Sequence, residues 1–123
     1  MANETKKIVV LITRGLDDER AVVSWTVANG GLDEGMDVTV FLASAGVDLV
    51  RKGAADLMRM NPLDPSLGEL IEQFMSKGGQ VLACPPCAKL RGYSEESLLE
   101  GVTIAGTAAL YGLIKEGAAT LSF

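Results

Sequence analysis

Histidine is absent from this 123-residue chain. That gap excludes a Ser-His-Asp triad, a Cys-His nucleophile pair and a His-bearing zinc site within one chain. Proton transfer must therefore use carboxylates, thiols, Lys, Tyr or water. Aromatic residues make up only 5%, and 11 Lys plus Arg stand against 16 Asp plus Glu, a formal net charge of -5. A field of that sign repels phosphate polymers, and the cations are scattered rather than gathered in a stripe, which speaks against a nucleic-acid partner. Long apolar runs are missing too. After the charges at Glu4, Lys6 and Lys7, only Ile8 to Thr13 are uncharged before Arg14, too short for a signal-peptide core. The run Gly101 to Ile114 is broken by glycine and falls short of the roughly 20 residues of a membrane span. A cytoplasmic, soluble protein with no membrane association is expected. Cysteine occurs only as Cys84 and Cys87, and without an export signal such a pair points to thiol chemistry rather than a structural staple.

What is present is a 48% apolar composition, enough for the core of a single domain over residues 1–123. Lys7 to Thr13 is a near-continuous β-branched run and predicts a strand buried on both faces, at the centre of a parallel sheet. Asp17, Asp18 and Glu19 then supply a helix start, with Val22, Trp25, Ala28, Leu32 and Met36 at helical spacing and Gly30-Gly31 or Gly35 as the stop. Asp37 to Ser44 predicts a second strand, and Val47 to Met60 reads as loop with one helical turn. Ser66 and Glu69 form a capping box ahead of the stripe Leu67, Leu70, Ile71, Phe74 and Met75. Gln80 to Cys84 predicts the third strand, Pro85 to Leu90 a short helix, and Ser94 to Glu100 another. Val102 to Ala105 predicts the fourth strand, Thr107 caps a helix through Glu116, and Ala118 to Phe123 predicts the fifth. Strands alternating with helices imply right-handed crossovers and a three-layer α/β domain with a mostly parallel five-stranded sheet.

In such sheets the functional crevice lies beyond the carboxyl ends of the strands. Four loops meet there: Thr13 to Leu16, Ser44 to Val47, Cys84 to Cys87 and Ala105 to Thr107. The Cys84-Pro85-Pro86-Cys87 motif stands where a strand gives way to a helix. A sulfur at a helix start has its pKa lowered by the peptide dipoles, an effect made partial here because Pro85 and Pro86 lack N–H groups. Lys89 and Arg91, and Arg14 across the edge, add positive potential. Cys84 and Cys87 are the candidate catalytic residues, and Arg14, Gly15, Gly46, Lys89, Arg91 and Thr107 the candidate binding groups. The plain alternatives stay open: Cys84 as a small core residue, Arg14 as a surface residue, Gly46 and Thr107 as a tight connection and a cap. A thioredoxin-like centre expects its C-x-x-C after an early strand, and zinc needs about four ligands, so neither fits well. The phosphate-loop and dinucleotide patterns are not met, and neither cofactor nor metal is implied.

An opening strand running into Thr13-Arg14-Gly15, the acidic helix start, Val38 to Leu42 with Gly46-Val47 after it, and Val81-Leu82-Ala83-Cys84 followed by Arg91-Gly92 together resemble the DsrE/DsrF-like family, which includes TusD-type sulfur relay subunits. The resemblance covers nearly the whole chain, and the Cys-to-Arg-Gly spacing is its most specific part. It implies a Rossmann-like domain that assembles into homotrimers or homohexamers, with the cysteine after the third strand, here Cys84, accepting sulfane sulfur as a persulfide from donor proteins or small thiols and passing it to acceptors. Cys87 and the two prolines depart from the relay subunits and resemble a branch sometimes labelled peroxiredoxin-like.

Two further functions fit the same residues. One is a dithiol redox or peroxide-responsive role in which Cys87 resolves a sulfenic acid on Cys84. The other is an oligomeric binding protein whose crevice turns nothing over. Scarce aromatics and glycine-flanked apolar segments predict surface that a second copy covers.

Overall fold

The β-branched run at the start of the chain folds as β1 (Lys7–Ile12), in a computed structural model that describes residues 6–123. Glu4, one of the charges that argue against a signal peptide, lies outside the described residues. β1 pairs in parallel with β2 (Asp37–Leu42) on one side and β5 (Ala119–Ser122) on the other. β2 continues through β3 (Gln80–Ala83) to β4 (Val102–Ile104), again in parallel. The strand order is β4-β3-β2-β1-β5. β1 is therefore interior but not central. The middle place belongs to β2, where Val38 to Leu42 are all buried, because three strands are laid down on one side of β1 and a single strand on the other.

The steps from β1 to β4 all move the same way across the sheet. Right-handed crossovers then place α1 (Arg20–Asp33), α2 (Leu67–Ser76) and α3 (Pro85–Leu90) on one face. The return from β4 to β5 runs the other way and sets α4 (Thr107–Lys115) on the opposite face, against β1. With period-two alternation, Val10, Ile12, Val38, Val40, Leu42, Val81 and Ala83 join Trp25, Leu67, Ile71 and Phe74 in one buried cluster. Trp25 and Phe74 meet edge to face, with centroids 5.4 Å apart. Asn29 Nδ2 donates to the carbonyls of Trp25 and Leu70 and so ties α1 to α2.

Several boundaries depart from the sequence reading. The acidic run lies ahead of α1 rather than in its first turn: Glu19 is the N-cap, and Asp18 Oδ1 accepts the Arg20 N–H at 2.9 Å. Gly30-Gly31 does not stop the helix, which runs to Asp33. A Cβ on Gly31 would sit 2.8 Å from Val38 Cγ2, so the missing side chain lets α1 lie close on β2, and tertiary packing overrides the low helix propensity of glycine. β2 ends at Leu42, two residues early, and a 3₁₀-helix, Ser44–Val50, begins at the expected strand end and runs into the ambiguous stretch. Ser66 is the N-cap of α2, and its Oγ accepts the Glu69 N–H at 3.2 Å, the serine half of the expected capping box. The Ser94 helix shrinks to a single 3₁₀ turn, Glu95–Ser97, because Leu98 leaves it to bridge Arg51. Thr107 is the first residue of α4, and Gly106 is its N-cap. The third and fourth strands end at Ala83 and Ile104, each one residue early. Among the described residues no helix is long and apolar enough to cross a membrane.

Candidate functional site

The four loops at the carboxyl ends of the strands do converge. Gly15 is buried against Ala45, so that a Cβ on it would lie 3.0 Å from the Ala45 Cβ. Gly46 sits where a Cβ would come within 2.2 Å of the Ile12 carbonyl oxygen. Only glycine lets the turn after β2 approach the end of β1 that closely. On the other side Gly106 lies against the Pro85 ring, and Ala105 N–H donates to the Ala83 carbonyl at 3.1 Å.

Cys84 is the junction residue. Its N–H donates to the Leu42 carbonyl at 2.9 Å, and its carbonyl accepts the Ala88 N–H at 3.0 Å, so it is the N-cap of α3. Pro85 and Pro86 occupy the first two helical positions, where an N–H would have had no helical partner and where their fixed φ suits the turn. That turn returns Cys87 to the side of Cys84, since residues three apart are neighbours on a helix. Both cysteines are free and half-buried, and their sulfurs are 2.7 Å apart.

The surroundings of the two sulfurs differ. Burial pushes the Cys84 thiol up from the ordinary thiol value. The Cys87 side chain adds to this, and the Cys87 N–H opposes it. This reverses the direction expected for a sulfur at a helix start: α3 has only six residues, its first two lack N–H groups, and desolvation of the charged form outweighs what remains. Cys87 Sγ accepts the backbone N–H of Ser44 at 3.2 Å. Ser44 adopts φ 53°, in the left-handed region that non-glycine residues rarely enter.

Below the thiols, Arg91 Nη1 donates to the Cys87 carbonyl at 3.2 Å, and Arg91 Nε lies 3.2 Å from Asp48 Oδ1. The Tyr93 hydroxyl donates to the same Asp48 oxygen at 2.6 Å, and that bond raises the Tyr93 pKa. Arg91 thus braces the C-x-x-C turn and is anchored in its place by Asp48. Lys89 and Thr107 are exposed beside the site. Arg14 instead faces Asp18, at 3.8 Å. Asp48 is a partner that sequence reasoning passed over, and Ser44, placed in a crevice loop, reads from the sequence as part of a tight connection rather than as a partner of Cys87. Ser44 acts through its backbone, which no residue pattern reports, and Asp48 is one acidic residue in a stretch with ambiguous periodicity.

A cleft of about 590 Å³ opens elsewhere, between α2 and the chain before β4, lined by Leu49, Met75 and Leu99 among others; neither cysteine lines it. Among the described residues no group of three or more Cys, His, Asp or Glu is gathered as metal ligands would be.

The model of the DsrE/DsrF-like family matches residues 6–123. An uncharacterized protein of Methanopyrus kandleri is 39% identical over 109 residues, covering 88% of this chain and 85% of its own length. One from Methanocaldococcus jannaschii is 34% identical over 119 residues, covering 95% of this chain and 99% of its own. The crystal structure of the ychN protein from E. coli is similar at a TM-score of 0.80 and 20% identity, over 98% of this chain and 100% of that one. A protein of unknown function from Methanobacterium thermoautotrophicum is similar at a TM-score of 0.73 and 24% identity, over 96% of this chain and 99% of that one. These two likenesses bear on the fold, a five-stranded parallel sheet flanked by helices.

Proposed function

The chain belongs to the DsrE/DsrF-like family, and on that premise we propose that it carries sulfane sulfur, with Cys84 taking the sulfur as a persulfide and Cys87 as its resolving thiol. The observation that carries this reading is a pair of free, half-buried thiols 2.7 Å apart at the carboxyl edge of β3. Cys84 sulfur attacks the outer sulfur of a donor persulfide, a bond forms between them, the donor S–S bond breaks, and the donor leaves as a thiolate. An acceptor thiolate then attacks the outer sulfur of Cys84-S-SH and restores the Cys84 thiol. Without an acceptor, Cys87 attacks the inner sulfur, expels sulfide and leaves a Cys84–Cys87 disulfide. None of these steps calls for a cofactor.

Lys89, exposed beside the turn, and Arg91, which braces it, supply positive potential for an anionic persulfide. Gly15, Gly46 and Thr107 shape the rim, while Arg14 belongs to the neighbouring Asp18 pair. Donor and acceptor are proteins or small thiols in the reducing cytoplasm, where such a pair stays reduced. The working form is a homotrimer or homohexamer built over α4 and β5, whose residues are all half-buried or exposed although Tyr111, Ile114 and Leu121 are apolar.

Prolonged incubation with glutathione persulfide, followed by mass spectrometry, tests the reading. One added sulfur is expected on Cys84 in Cys87→Ser, the Cys84–Cys87 disulfide with release of sulfide in the wild type, and neither product in Cys84→Ser. No adduct in Cys87→Ser removes the proposal. The same sulfur contact favours one other function, peroxide sensing, in which Cys84 becomes a sulfenic acid and Cys87 closes the disulfide with loss of water. Hydrogen peroxide in place of the donor separates the two: a rate no faster than free cysteine rules sensing out.

A further inference from the structure

The cleft between α2 and the chain before β4 takes no part in the sulfur chemistry. One element runs from the thiols to it: the Ser44–Val50 3₁₀-helix has Ser44 against Cys87 at its start and Leu49 in the cleft floor near its end. At about 590 Å³ the cleft falls within the roughly 300–1,000 Å³ of small-molecule sites.

The floor is apolar. Leu49 and Ala55 are buried beneath it, and Met75 and Leu99 are half-buried in its walls. Glycine lets those walls come together. A Cβ on Gly101, which has φ 95°, would meet Met75 Cε at 2.7 Å. A Cβ on Gly68 would lie 3.1 Å from Asp56 Oδ1 and 3.2 Å from Asp56 Cα, so the loop after the 3₁₀-helix packs directly on the first turn of α2.

The rim is acidic. Asp56 comes from that loop, Glu72 from α2 one turn beyond Gly68, and Glu100 from the chain ahead of β4, so three separate segments each bring an exposed carboxylate to one opening. Among the described residues none of the three is ion-paired. The cation of the lining, Arg51, faces the Tyr93 hydroxyl, and Lys77 at the end of α2 is held by Asp33. On the outer side of α2, Glu69 shares a shallow recess with Glu72 and Ser76 and adds a further carboxylate.

Floor and rim together complement one ligand chemistry. A hydrocarbon or aromatic body fits the floor, and an ammonium or guanidinium group answers the rim. An organic anion would meet carboxylates on three sides. A bare metal ion would lack ligands, since among the described residues no three Cys, His, Asp or Glu are gathered to hold one.

We propose that this cleft binds a small organic cation, an amine or guanidine carried on an apolar body, at a site separate from the thiol pair. The inference does not depend on the sulfur-carrier reading, because neither cysteine lines the cleft.

Three probes with one indole body and different charge test it: tryptamine, 3-methylindole and indole-3-propionate. The readout is the Met75 methyl resonance in protein with isotope-labelled methionine, identified by its loss in Met75→Leu. Tryptamine is expected to shift that resonance saturably and to bind about fivefold more tightly than 3-methylindole, the factor of one exposed ion pair near its upper limit. Indole-3-propionate is expected to bind most weakly, and added salt to erode the advantage of tryptamine. Glu72→Gln is expected to weaken tryptamine about two- to fivefold. Combining it with Asp56→Asn and Glu100→Gln is expected to bring tryptamine down to 3-methylindole. All three positions are exposed, and an unchanged methionine spectrum without probe verifies the fold of each variant. Binding of the neutral or anionic probe as tight as that of tryptamine overturns the proposal, as does a Met75 methyl that no probe moves saturably. A Met75 resonance that moves with protein concentration alone places a second copy in the cleft and overturns it as well.

Discussion

The two faces of the sheet are finished to different degrees. On one, α1 and α2 seal β1, β2 and β3 so completely that Trp25, Phe74, Leu67 and Ile71 have no measurable exposure. On the other, α4 lies over β1 with every residue half-buried or exposed, and all four residues of β5 are exposed. Yet α4 is largely apolar, and Tyr111, Ile114 and Leu121 are 58%, 38% and 42% exposed. The first face is a core that a single chain completes. The second has the composition of a core without its coverage, which is what an interface between copies requires.

The sharpest way to break this contrast is at its sealed side. Trp25→Ala removes a fully buried side chain and its edge-to-face partner, and an expected loss of about 3–5 kcal/mol follows from the transfer and cavity terms. Urea unfolding measures it; a loss under about 1 kcal/mol would place the folding core elsewhere.

At the open side, Ile114→Asp is expected to leave the stability of the isolated chain within about 0.5 kcal/mol, as an exposed substitution does, but to abolish assembly. Sedimentation of wild type and variant at matched concentration reads this directly. A wild type that sediments as a monomer of 12.9 kDa at micromolar concentration contradicts the proposed oligomer.

The smallest effect is electrostatic and belongs to neither face. Hydrogen bonds from the Arg20 side chain and backbone, with Arg14 nearby, hold the Asp18 carboxyl at about 2, below its ordinary 3.8. A carboxyl whose pKa is lower in the folded chain stabilises it above the unfolded value, and this contribution is lost as pH falls through the folded value. Asp18→Asn is therefore expected to lower the thermal midpoint slightly at neutral pH. The gap from wild type should close between about pH 4 and pH 2. A gap that stays constant over that window would assign the effect to something other than ionisation.

How much of this was legible beforehand follows from the kind of signal each feature leaves. The five strands and the α2 cap were legible because alternation, β-branching and a Ser-x-x-Glu pattern act over a few residues. The continuation of α1 past Gly30-Gly31 was not, because its cause is Val38, a residue brought in by the sheet. Cys84 and Cys87 were legible as a site from their motif and their place after a strand. The surroundings of each sulfur were not, since the desolvation of Cys84 and the Ser44 N–H beneath Cys87 are both tertiary.

Residue order alone determined that a parallel α/β domain would form and that two thiols would stand at the end of its third strand, because periodicity, turn chemistry and a two-proline spacer are local instructions. The folded chain alone decided which strand lies in the middle, which face stays open and which donor each sulfur meets. Those outcomes depend on segments far apart in sequence being packed to within hydrogen-bond distance, and on the water that packing removes.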